Sequence, residues 1–131
     1  MTEIQTLRVS KAALITGWIM SAIPIIFMCV GGIVFLFFFP DKIAEGMKKY
    51  GYPENAMYPI IIAEIGSALI YAIPQTSVLG AILMTGYLGG ATATHVHAGE
   101  PFFFPIIFGI LVWLGLLLRE PRLRTLLPIR T

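Results

Sequence analysis

One carboxylate, Glu64, stands inside the apolar run MYPIIIAEIGSALIYAI. A charged side chain at hydrocarbon depth is costly, so such residues face a protein interior and mark functional sites. Counting from Tyr58 at 1.5 Å per helical residue sets Glu64 roughly 9 Å inside the surface. Ser67 and Tyr71 follow at i+3 and i+7 and extend its face. The second concentration of polar groups lies in LGAILMTGYLGGATATHVHAG, Leu79 to Gly99. Helical periodicity puts Tyr87, Ala91 and Thr94 on one face, and Thr85, Thr92 and His95 on another. A helix polar on several faces belongs at the centre of a bundle. Counting inward from the end the two runs share, His95 is expected level with Glu64. A carboxylate beside a histidine supplies a general acid/base pair, a proton relay or a ligand cradle. Glu64 and His95 are therefore the catalytic candidates. The expected ligand-binding set is Glu64, Ser67, Tyr71, Tyr87, Ala91, Thr92, Thr94 and His95.

Other chemistries find little support. His95 and His97 point apart on a helix, and no cysteine or aspartate stands near them to complete a metal site. The single cysteine, Cys29, reads as a small apolar residue and allows no internal disulfide or thiol pair. There is no haem, iron–sulfur or zinc motif, no Ser-His-Asp set and no phosphate loop. A quinone site stays compatible, because it asks only for an apolar slot and one or two hydrogen-bonding groups.

The elements that must position these residues follow from composition. The 131 residues are 57% hydrophobic and 12% charged, with a mean hydropathy of +0.85. A soluble domain carries about twice that charge. The net charge of +2 sits in the ends and one loop, where basic residues meet lipid headgroups rather than nucleic acid. The pattern predicts a single all-α membrane domain over 1–131: an antiparallel bundle of four transmembrane helices at about 12–39, 57–73, 78–95 and 102–118. The first run is too long for a cleaved signal segment and reads as an anchor. Pro24 and Gly31-Gly32 are its expected kink sites. Between the first two spans, Ile43, Met47 and Tyr50 recur at helical spacing among Lys42, Glu45, Lys48 and Lys49, a short amphipathic helix at 41–50 in the interface. Gly17 with Ser21, and Gly86 with Gly90, are small-xxx-small pairs expected to let neighbouring backbones approach. Arg119, Arg122, Arg124 and Arg130 around Leu123, Leu126 and Leu127 read as an interface-hugging cationic end. With Arg8 and Lys11 they outnumber Lys42, Lys48 and Lys49 on the other side, which predicts cytoplasmic termini.

Gly17-Trp18 with Ser21, Gly51-Tyr52-Pro53, Glu64, LGAILMTGYLGGATATHVHAGEP and WLGLLLREPRLRTLLP together resemble the DoxX-like family of small bacterial membrane proteins. The resemblance covers nearly the whole chain, and its most specific part is the third-span motif. It implies a four-helix protein of the bacterial plasma membrane, with Glu64, Tyr87, Gly90 and His95 as the positions carried over. Position 97, basic in the family, is His97 here. The wider group includes subunits linked to quinone-dependent sulfur oxidation and membrane oxidoreductase assemblies. Three roles are thus in view: an accessory component holding a lipophilic molecule such as a quinone; an oxidoreductase subunit or isomerase using Glu64 and His95 as acid and base; and a structural or assembly-assisting bundle. The expected partners are the lipid bilayer, a lipophilic ligand, and a membrane protein or second copy of the chain, with no nucleic acid.

Overall fold

The computed structural model describes residues 9–126; Arg8, Leu127 and Arg130 lie outside them. Among the described residues there are six α-helices: α1 (Lys11–Phe38), α2 (Pro40–Tyr50), α3 (Met57–Ala72), α4 (Ser77–His97), α5 (Phe103–Arg119) and α6 (Pro121–Leu126). Short 3-10 turns at Glu54–Ala56 and Pro74–Thr76 lead into α3 and α4. The ends are set locally. The Ser10 hydroxyl caps α1 by accepting from the Ala13 N–H at 3.1 Å, and Pro40 opens α2 with a preset φ. Gly51 closes α2 at φ 79° and Gly99 ends the turn after α4 at φ 71°, backbone that L side chains rarely adopt. Each boundary falls within two residues of its expected place, and Pro24 is accommodated inside a continuous α1.

Among the described residues three segments are long and apolar enough to cross a membrane: Lys11–Phe38, Glu54–Ala72 and Pro74–His97. Phe103–Arg119 is equally apolar but has 17 residues. Ile62 and Phe104 on the outer surface are each 69% exposed, as lipid contact allows and water does not.

The four long helices form a closed ring in which α1 packs on α3 and α5, and α4 packs on α3 and α5. We call the end with Lys11, the α3–α4 turn and Arg119 basal, and the end with α2 and the α4–α5 turn apical. Met28, Ala68, Tyr71, Ala81, Met84, Val112 and Leu116 fill the core. The tightest contacts are basal. A Cβ on Gly115 would lie 2.6 Å from Ser21 Oγ and 2.9 Å from the Gly17 carbonyl, and Gly80 lies directly against the backbone of Tyr71. Gly86 and Gly90 behave otherwise than expected: nothing comes within 4 Å of where their Cβ would be. The close approach of α4 to α3 is made at Gly80, and beyond it the gap at Gly86 and Gly90 becomes cavity.

Arg119 also departs from its expected place in a cationic rim. It is 9% exposed, donating from Nε to Ser21 Oγ at 3.0 Å and from Nη1 to Ser77 Oγ at 3.2 Å. Its guanidinium carbon lies 4.0 Å from the Trp18 ring centroid and 5.0 Å from that of Tyr71. Nη2 is buried without a hydrogen-bond partner among the described residues.

Two stability outcomes follow. Gly115→Ala should lower the unfolding free energy in detergent by about 1–3 kcal/mol, the cost of overpacking, whereas Gly90→Ala should be near neutral. Hydrogen bonds to a charged group are worth about 1.5–3 kcal/mol. Arg119→Lys, which keeps the charge but loses the planar fork, should therefore destabilise by at least about 1.5 kcal/mol in the same assay.

Candidate functional site

Glu64 leaves α3 toward α1, and a Cβ on Gly32 would lie 3.5 Å from its Oε2. The carboxyl lines a cavity of about 390 Å³ between α1, α2, α3 and α4, together with Phe27, Phe35, Met47, Tyr50, Ile60 and Tyr87. The α4 side chain that shares this cavity with it is Tyr87. Counting from the tight basal turn explains this: Glu64 stands eight residues above Ala72, and Tyr87 ten above Ser77. His95 is eight residues further along α4, about 12 Å. Glu64 and His95 are therefore not side by side. The expectation that they share a level came from counting at the apical end, where α4 projects beyond the start of α3.

His95 lines a second, apical cavity of about 310 Å³ with Gly86, Tyr87, Gly90, Ala91 and Thr94. Met47, Tyr50, Ile60 and Tyr87 belong to both cavities, so they adjoin through shared walls. The His95 Nδ1 lies 2.7 Å from the Ala91 carbonyl of its own helix, and its ring is 5.9 Å from that of Tyr50. The Thr94 hydroxyl donates to the Gly90 carbonyl at 2.8 Å.

Three expected members lie elsewhere. Tyr71 is fully buried in the basal core, donating to the Val112 carbonyl at 2.7 Å, with its hydroxyl 2.8 Å from Ser21 Oγ. Ser67 donates back to the Glu64 carbonyl at 3.1 Å and lines an outer α3–α4 groove. Thr92 faces α5, in a groove with Thr85 and Trp113, where the Trp113 indole donates to Thr85 Oγ1 at 2.7 Å. Among the described residues, no three His, Cys, Asp or Glu side chains gather where they could hold a metal ion.

The contacts that fasten α2 over the cavity were missed by sequence reasoning. Helix α2 has no buried residue, yet it is tied to the far side of the cavity. Lys49 forms an ion pair with Glu100, the Tyr50 hydroxyl donates to Glu100 Oε2 at 2.8 Å, and the Tyr52 hydroxyl lies 2.6 Å from Thr94 Oγ1. These bonds hold the two phenol groups at the rim while both residues line the apical cavity. The available signal was a pair of tyrosines around Gly51 and the lone acid after the third span.

Hydrogen bonds from Lys49 and Tyr50 hold the Glu100 carboxyl below its ordinary value of 4.5, and the bond to Glu100 raises Lys49. A depressed carboxyl contributes its stabilisation above the ordinary value and loses it as pH falls through the depressed one. Amide exchange protection of α2 should therefore hold at neutral pH and drop on acidification below about 4. Glu100→Gln should show the weaker protection at every pH.

Apolar helices closed around a cavity with one carboxyl define a small helical membrane protein. The profile of the DoxX-like family matches residues 19–115, most of the chain, and the protein belongs to that family. No curated protein and no solved structure matches it.

Proposed function

We propose that this DoxX-like protein crosses the bilayer with α1, α3, α4 and α5, rests α2 in the outer interface, and keeps both termini in the cytoplasm of a bacterial cell. Lys11, Arg122 and Arg124 at the basal end support that orientation, with Arg8 and Arg130 in the flanking sequence. Its role is to hold a lipophilic small molecule with one polar end, a quinone being one such molecule, in the adjoining cavities beside Glu64 and His95.

The observation that carries this reading is a carboxyl presented, with the Tyr50 and Tyr87 phenols and Lys42, to a cavity lined mainly by apolar side chains. Ligand sites have that composition, with a few polar groups orienting the occupant. Glue between helices would instead bury Glu64 against a partner helix, as Ser21 and Tyr71 are buried. An acid/base role for Glu64 and His95 together asks the substrate to bridge about 12 Å along α4, which favours binding over concerted catalysis.

Mass spectrometry and absorbance on protein extracted in mild detergent test the reading. The expected result is a stoichiometric lipophile, reduced about tenfold in Glu64→Ala through loss of a hydrogen bond. Gly90→Leu, which fills the apical cavity without a clash, should remove it. Bulk phospholipid alone in all three proteins would overturn the proposal.

A further inference from the structure

The cavity beside Glu64 pairs a carboxylate with aromatic rings and supplies that carboxylate with no cation. Phe27 and Phe35 from α1, Tyr50 from α2 and Tyr87 from α4 line it together with Glu64. Among the described residues the one ion pair is Lys49–Glu100, at the apical rim. Lys42 also borders the cavity, but its ammonium lies 5.5 Å over the Phe39 ring. It does not figure among the groups acting on Glu64.

Two physical terms then select the same ligand. A carboxylate withdrawn from water is unfavourable until a counter-charge joins it. Aromatic faces attract cations, alkylated ammonium groups especially, and the attraction grows where water is excluded. A quinone answers neither term: it carries no positive charge, and its oxygens only accept hydrogen bonds. The Tyr50 hydroxyl is already committed to Glu100, so what Tyr50 offers an occupant is its ring.

We propose that the polar end of the occupant is a cation, and that the cavity is a site for lipophilic amines, tertiary or quaternary. The nitrogen meets the Glu64 carboxylate, its alkyl substituents contact the faces of Tyr50 and Tyr87, and the apolar tail lies along Phe27 and Phe35. This rests on the reading that the cavity holds a lipophile and narrows it to a charge class.

The test compares two probes of equal shape, a phenylbutyl dimethylamine and its isostere in which CH replaces the nitrogen. Saturable binding is measured in nanodiscs of zwitterionic phosphatidylcholine, with empty discs subtracted. The amine should bind about tenfold more tightly than the isostere. Glu64→Gln should bring the two within about twofold, and Glu64→Asp, which keeps the charge, should retain the preference. Tyr87→Phe, which keeps the ring, should retain it as well. Equal binding of both probes to the unmodified protein, or a preference that survives in Glu64→Gln, overturns the cation assignment and leaves the lipophile reading standing. Saturable binding of neither probe overturns both.

Discussion

The basal half of the bundle closes around one guanidinium. Arginine stays charged in a protein, so enclosing Arg119 requires that every neighbouring helix contribute something to it. Helix α1 supplies Ser21 and Trp18, α3 supplies the Tyr71 ring, and the first residue of α4 supplies Ser77. These groups reach one point only because the surrounding backbones come unusually close, at Gly17, Gly80 and Gly115. The small residues and the buried charge are two sides of one arrangement.

That concentration matters because lipid removes the usual driving force. Apolar helices gain little from leaving hydrocarbon for one another, and association rests on close packing and hydrogen bonds. In this protein both are gathered basally. Apically, glycines border empty volume instead of a neighbouring helix, and the roof is held by exposed polar contacts from α2. The protein is tightly packed where it holds a charge and open at the apical glycines.

The helices were legible because long apolar runs end at Pro40 and Pro74 and the amphipathic stretch between them ends at Gly51 and Pro53. Glu64 was legible for the same reason, as a charge where charges are rare. Its neighbour was not, because a residue count depends on which end of an antiparallel pair is taken as origin. The tight basal turn gives Tyr87, and the loose apical connection gives His95. Small-residue spacing was equally ambiguous. Gly17 with Ser21 faces Gly115, while Gly86 with Gly90 faces a void, and only the partner helix distinguishes the two. Arg119 stands where headgroup contact is usual, and its inward turn depends on two serines far away in sequence. The role of Glu100 was not legible because the lysine and tyrosine that engage it lie about fifty residues earlier.

The pinch at Gly80 gives the molecule the mechanics of a pair of tongs. Helices α3 and α4 touch backbone to backbone there, and the cavity walls are the arms beyond the pivot. Tyr87 lies seven residues up the arm and His95 fifteen, or about 10 and 22 Å at 1.5 Å per residue. A rotation at the pivot is therefore about twice as large at His95 as at Tyr87, and the far cavity changes width before the near one does. A larger side chain at the pivot would therefore change the width of the cavity while every residue lining it stays the same.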